Sequence, residues 1–470
     1  MTKINWQNEV NERKDQLLED TKGLLQIKSV LDEENKKDDA PFGEGVKKAL
    51  LYMLDRGNEA GFQTKNVDHV CGHIEYGEGE ELVGILCHVD VVPEGDGWKY
   101  DPFGATVSDG KLYARGALDD KGPTMAAFYG LKIIKELGLK LSKRVRIIIG
   151  TDEESGMRCV QHYFKKEEMP TMGFAPDADF PIIYAEKGIS SIDFTFNKTI
   201  EQSDSKIIVE HFSAGRRYNM VPDLAIVTLS GNINQDELSA NFNKFLSDHQ
   251  LEGSIEYVDG KTQIFLRGVS AHAMEPNAGT NAAVYLAKFL NTQPIDEQAL
   301  EYFRFVEEVF LQDTRGEKLN VKYTDEVSGD LTVNAAIFSY QAEGVGKVGI
   351  NIRYPVTYDM EKGKENIIEV AHQYGFEVDR FTNSKPHYVE ENTTLIQTLK
   401  KVYEEQTGEE AKLIAIGGGT YARYLKTGVA FGPLFPGRPD VAHQKDEYME
   451  LDDLFKATAI YAQAIYELAK

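Results

Sequence analysis

Only three cysteines (Cys71, Cys87 and Cys159) occur in 470 residues. Their spacing follows no paired framework, which excludes a disulfide-stapled scaffold and suits a reducing compartment. No apolar run approaches the ~18 residues that a membrane helix needs. The first thirty residues carry charge throughout, so a secretory leader is not expected. Basic residues are outnumbered, with 52 lysines and arginines against 76 aspartates and glutamates. A formal net charge of −24 argues against a nucleic-acid partner or an anionic membrane surface. These absences lead us to expect a cytoplasmic protein with no nucleic acid and no membrane among its partners.

The length of the chain predicts two or more domains, and a hydrophobic content of 41% is enough for well-packed cores. An amphipathic helix is expected over 5–27 and a second over 46–60. Strands are expected near 62–67 and 69–76. The run Leu82–Cys87 is apolar on both faces, as a central sheet strand would be. Helical periodicity returns over 121–137, and Arg144–Gly150 reads as another buried strand.

Polar clusters follow these buried strands. His88 and Asp90 lie two residues apart and therefore share a face in extended chain. Thr151-Asp-Glu-Glu-Ser-Gly156 follows the second strand, and Asp177 and Asp179 follow a third apolar stretch. Between them, Asp119 and Asp120 stand side by side after Gly116. Adjacent carboxylates repel, so a cation should hold at least one of them. Alone, each cluster is equally consistent with a solvated acidic turn. Their delivery past strand ends is what suggests a shared ligand edge, because open α/β sheets bind ligands outside the carboxyl ends of strands.

Other motifs are discounted. Gly344-Val-Gly346-Lys-Val-Gly349 matches a dinucleotide fingerprint but precedes a strand instead of opening a helix. Gly417-Gly-Gly-Thr420 lacks the lysine of a phosphate loop, although Gly418 could permit close backbone approach to a substrate. His69, His73, His162, His211, His249, His372 and His387 read as surface or packing residues.

Over 187–385 strands and helices interleave as in an antiparallel α+β layer. After Glu391 the α/β texture returns, ending in a helix over 450–469 preceded by His443. The expected fold class is therefore α/β. A catalytic domain (1–186 and 386–470) with a central mixed sheet flanked by helices would be interrupted by an inserted α+β domain (187–385). The insert can be read as two consecutive layers, the first holding His272 and the second Arg353.

The chain resembles the M20 family of metallopeptidases, and within it the PepV-type dipeptidases. The matching stretches are Leu86–Pro93, Ala114–Pro123, Thr151–Gly156, Pro176–Phe180, Ser270–Pro276 and Ala442–Glu447. They occur in family order, and the set is far more specific than any one member. The resemblance implies a zinc-peptidase-like catalytic domain with two divalent metal ions per chain. Zinc is favoured by the mixed imidazole and carboxylate set, with manganese or cobalt also tolerated. By the same resemblance, His88 and Asp177 hold one ion, Glu154 and His443 the other, and Asp119 bridges them. Asp90 would orient His88, and the peptide after Asp119 would be cis. Glu153 would be the general base toward a metal-bridging water. The insert would act as a lid. Its His272 would stabilise the oxyanion with Asn219 in support, and its Arg353 would hold the substrate's C-terminal carboxylate.

The expected activity is that of a metallo-dipeptidase acting on small peptides. An N-acyl amino acid amidohydrolase (deacetylase or desuccinylase type) is the alternative within the family, because it shares the ligands. A binding protein that merely holds metal would not need Glu153. The insert is larger than one four-stranded layer requires, so it could cover the surface that dimeric relatives bury. A monomer is therefore expected.

Overall fold

The structure is a computed structural model that describes residues 4–197, 207–342 and 345–470. Gly344 of the discounted glycine motif and residue 206, the start of a strand expected over 206–211, lie outside the described residues. The chain forms two compact units. The first comprises Met1–Ala185, Tyr388–Ala415 and Gly419–Lys470, and the second Glu186–His387 and Ile416–Gly418.

The first unit is built on a mixed sheet. Leu82–His88 is buried at every position and pairs in parallel with Arg144–Gly150 on one side and Met172–Ala175 on the other. Gly428–Ala430 extends the parallel run, whereas Cys71–Tyr76 joins Arg144–Gly150 antiparallel. Burial on both faces explains why these strands read as unbroken apolar runs. The helices Lys121–Glu136 and Leu451–Ala469 pack closely against each other. A Cβ at Gly130 would lie 2.9 Å from the Ala462 nitrogen, so glycine permits this approach.

The expected helix over 5–27 is two helices, Trp6–Asn11 and Lys14–Leu25. Arg13 leaves the helical conformation at the break. Its guanidinium donates to the Glu9 carbonyl at 2.7 Å and to Glu136 Oε2 at 2.6 Å. A C-terminal cap of this kind satisfies carbonyls that would otherwise need the next turn. The α/β texture after Glu391 predicts a helix following Thr420, and this segment is only a short 3₁₀ turn over Tyr421–Tyr424.

The second unit does not form two separate layers. It holds one antiparallel eight-stranded sheet. Its halves join where Ile207–Ala214 pairs with Thr332–Gln341, with Phe212 opposite Tyr340. Gly188–Asn197, first of these strands in the chain, lies between Val345–Tyr354 and Phe376–Ser384. Backbone pairing at the join satisfies edges that two four-stranded layers would have left open. Two strands escaped sequence reading, Glu252–Val258 and Phe376–Ser384. Both are largely exposed at the edges of the sheet, so neither carries an apolar alternation. The helices Ala282–Leu290 and Glu297–Phe310 contribute to this unit's core. The first, expected over 278–292, starts later because the Asn281 side chain caps it, accepting from Ala283 N and Val284 N.

Candidate active site

Three of the parallel strands of the first unit deliver their ends to one sheet edge. His88 closes the first strand and lies opposite Gly150. Glu153 and Glu154 follow Gly150, and Asp177 follows Ala175. The acids after Gly150 have separate surroundings. Asp152 is buried and takes the Arg158 guanidinium at 2.7 Å together with the Arg158 N–H at 3.0 Å. It closes the turn, while the Glu154 N–H donates to Asp90 Oδ2 at 3.1 Å.

Asp119 reaches the same edge from a loop in which the Asp119–Asp120 peptide is cis. Its two oxygens face different imidazoles. Oδ1 lies 3.1 Å from His88 Nε2, and Oδ2 lies 3.0 Å from His443 Nε2. His88 Nε2 is also 3.6 Å from Asp177 Oδ1, and His443 Nε2 is 3.0 Å from Glu154 Oε2. Two potential ligand groups result: His88 with Glu153 and Asp177, and Asp119 with Glu154 and His443. His443 adopts a left-handed φ of 62°. Its loop is anchored through Asp446, whose Oδ1 accepts from Lys99 N at 2.8 Å and Tyr100 N at 3.2 Å.

His88 donates from Nδ1 to the Asp90 carbonyl at 3.1 Å, and the Asp90 carboxylate oxygen is farther away, at 3.5 Å. The backbone oxygen of Asp90 is thus nearer to the ring than the side chain expected to orient it. Either contact leaves the lone pair on Nε2, the form a metal needs. His88 Nε2 and Asp119 Oδ1 are both buried without a hydrogen-bond partner. Such orphaned atoms, facing each other among acids, fit a bound cation.

The electrostatics agree. Burial, then Asp177, pushes the Glu153 carboxyl well up. Burial, then Asp119, raises Glu154 to about 7 and Asp177 to about 6. Burial acts against charge on His88, but Asp177 and Asp119 outweigh it and raise the imidazole. The Asp119 and Glu154 side chains raise His443 to about 11. Burial would also raise Asp119, yet His443 and His88 hold it low and ionised. Acids packed this closely share too few cations, and divalent ions would relieve the repulsion.

The remaining predicted residues lie in the second unit. The Asn219 carbonyl accepts from Ala273 N at 2.8 Å, next to the backbone bridge between Met220 and His272. His272 Nδ1 accepts from Met274 N at 3.2 Å, so the neutral ring carries its proton on Nε2. Burial, then the Arg353 charge, lowers the His272 pKa and favours that neutral form. Arg353 is buried. Its Nε donates to Asn351 Oδ1 at 2.8 Å and its Nη1 to the Gly417 carbonyl at 3.0 Å. Gly418 follows in open space, with only Ile416 Cδ1 within 3.9 Å of where a Cβ would sit.

The family model described as peptidase family M20/M25/M40 matches residues 84–467. The chain belongs to this peptidase family. It is therefore a hydrolase. A relative from Bacillus subtilis, "Putative dipeptidase YtjP", is 53% identical over 467 residues, covering 99% of this chain and 100% of that protein. Among solved structures, aminoacylhistidine dipeptidase from Vibrio alginolyticus superposes with a TM-score of 0.59 at 13% identity, covering 97% of this chain and 96% of its own. A Bacillus subtilis protein described as a dinuclear metal binding peptidase from the M20 family gives a TM-score of 0.50 at 12% identity, covering 98% and 99%. Both share the α/β fold with this chain.

Sequence reading of this M20 chain passed over three supporting residues. Glu447, fully buried, accepts from Leu118 N at 2.9 Å and Asp119 N at 3.2 Å through Oε1, and from Arg115 Nη1 at 2.6 Å through Oε2. Asp120 accepts from His88 N and Thr124 Oγ1, both at 3.0 Å. Lys121 donates to the Ile27 carbonyl at 2.6 Å and so caps the end of Lys14–Leu25. The signal was present, since Asp120 and Lys121 lie in the Ala114–Pro123 match and Glu447 ends the Ala442–Glu447 match. Among the described residues, no helix is long and apolar enough to cross a membrane.

Proposed function

We propose that this M20 hydrolase is a dipeptidase that cleaves the peptide bond of short peptides bearing a free C-terminus. The observation that carries the reading is the Asp119 carboxylate, whose oxygens are faced by His88 at 3.1 Å and His443 at 3.0 Å. His88 and Asp177 would hold one divalent ion, Glu154 and His443 the other, and Asp119 would bridge them. Zinc is favoured, with manganese or cobalt as alternatives. When bound, the ions supply Lewis acidity toward the substrate carbonyl and lower the pKa of a water.

The chain's own residues complete the reaction. Glu153 takes a proton from the attacking water and passes one to the leaving amine. Its raised pKa suits a group that must hold and then release that proton. His272 donates its Nε2–H to the developing oxyanion, with Asn219 in support. Arg353 binds the C-terminal carboxylate through its planar fork, held in orientation by Asn351 and Gly417. Gly418 admits the substrate backbone. Three unpaired buried cysteines support a cytoplasmic location.

The test compares a dipeptide, its C-terminal amide, a tripeptide and an N-acyl amino acid, each with zinc or manganese. The dipeptide should be fastest, its amide poor, and Arg353→Lys impaired on the dipeptide. Equal rates on the dipeptide and its amide would remove the carboxylate clamp. Faster turnover of the N-acyl amino acid would replace the dipeptidase reading with the amidohydrolase one.

A further inference from the structure

The loop after strand Ile207–Ala214 carries two adjacent arginines, Arg216 and Arg217. Both line a cavity of about 500 Å³, together with Ser213, Met220, Asp223 and Ser270. Both are exposed, and among the described residues neither guanidinium makes an ion pair or a hydrogen bond. Two unpartnered arginines side by side are unexpected on a chain of net charge −24. Elsewhere in this unit the cations Arg315 and Lys322 have carboxylate partners.

The loop is rigidly held. Gly215 has a φ of +78°, and a Cβ there would lie 1.7 Å from the Ala336 carbonyl oxygen, so the turn is pressed against strand Thr332–Gln341. Buried Asn334 donates from Nδ2 to the carbonyls of Tyr218 and Met220, both at 2.9 Å. The Tyr218 hydroxyl donates to Asp193. The loop that presents the guanidinium groups is thus ordered before any ligand arrives, which reduces the entropic cost of binding. Asp223 is the single carboxylate on the lining, against two guanidinium groups.

The cavity also adjoins the proposed substrate contacts within this unit. Met220 lines it and forms a backbone bridge to His272. Val221 lines it as well, and its N–H donates to the Ala271 carbonyl at 2.8 Å. Asn219 stands between Arg217 and Met220 in the sequence.

We infer that Arg216 and Arg217 form a subsite that receives the side-chain carboxylate of an acidic peptide substrate. The inference rests on the peptidase reading and adds a substrate class to it. Guanidinium groups match a carboxylate through paired N–H donors, which an amide of the same shape answers only in part. The subsite should therefore discriminate aspartate from asparagine, a pair nearly equal in volume.

The test measures kcat/KM on Ala-Asp against Ala-Asn, Asp-Ala against Asn-Ala, and Ala-Lys, with the zinc-loaded full chain. In parallel, titration calorimetry measures binding of the same peptides to the zinc-loaded Glu153→Gln protein. In at least one pair, the acidic peptide should be preferred by about tenfold, the factor expected of one charge-assisted hydrogen bond. Both kinetic and binding ratios should collapse toward one in the Arg216→Gln/Arg217→Gln variant and survive in part in Arg216→Lys/Arg217→Lys, which keeps the charge. Circular dichroism checks that each variant is folded. No acidic preference, a preference for Ala-Lys, or an acidic preference that persists without both arginines would overturn the inference. Arginine-dependent binding without hydrolysis of any peptide would support the subsite and discard the dipeptidase reading alone.

Discussion

Glu447 holds the backbone of Asp119: its Oε1 accepts the Asp119 N–H at 3.2 Å. The other oxygen of Glu447 binds Arg115, so a buried ion pair fixes the loop that places Asp119 between His88 and His443. Removing one partner of such a pair strands a buried charge, at a cost of about 3–5 kcal/mol.

Glu447→Ala should therefore lower the melting temperature and weaken metal binding by about 10–100-fold, the range for residues that orient metal ligands. Glu447→Gln, which keeps an oxygen for the two N–H groups, should retain more affinity. Calorimetric titration with zinc checks this. Affinity of Glu447→Ala within twofold of the native protein would mean that the Asp119 loop holds itself.

Protons and metal ions should compete for the same atoms. In the metal-free protein His443 lies at about 11, Glu154 at about 7 and Asp177 at about 6. Below each value the group is protonated, so metal must displace a proton and apparent affinity must rise with pH. The rise should be steepest below about pH 6, where Asp177, Glu154 and His443 must all give up protons, and should become shallower between pH 6 and 7 as Asp177 and then Glu154 ionise without metal. Zinc titrations in buffers of different ionisation enthalpy should show net proton release. Affinity independent of pH, without proton release, would contradict the assigned ligands.

Much of the first unit was legible because each motif follows an apolar run that has little choice but to be a buried strand. His88, Glu153, Glu154 and Asp177 lie past such strands, and parallel pairing of Leu82–His88 with its neighbours brings them to one edge. Asp119 and His443 sit on loops, where no periodicity marks a position; the adjacent carboxylates drew attention to Asp119 or Asp120, and the resemblance chose Asp119 and added His443. The strand Glu252–Val258 was missed because it is exposed at nearly every position, so no alternation betrays it. The single sheet of the second unit was hidden for another reason. Joining Ile207–Ala214 to Thr332–Gln341 is a long-range pairing of two ordinary strands, and local sequence says nothing about which strands meet. Burial of Arg353 was not legible, because a buried arginine is rare without partners and its partners Asn351 and Gly417 could be found only in three dimensions.

We propose a monomer in which His272 serves the active site of its own chain. Mixing His272→Ala with Glu153→Gln should give no recovery of activity, and light scattering should give a mass near 52.7 kDa. Recovered activity in the mixture, or a stable dimer mass, would show that the histidine is exchanged between subunits.

We propose that Glu153 does its chemistry beside a pair of ions held by its neighbours. The most direct measurement is turnover of a dipeptide by Glu153→Gln at a metal content established by elemental analysis. Two ions per chain and a kcat at least ~10²-fold below native are expected, the latter being the typical effect of a lost general base. Near-native turnover at full metal occupancy would contradict this role.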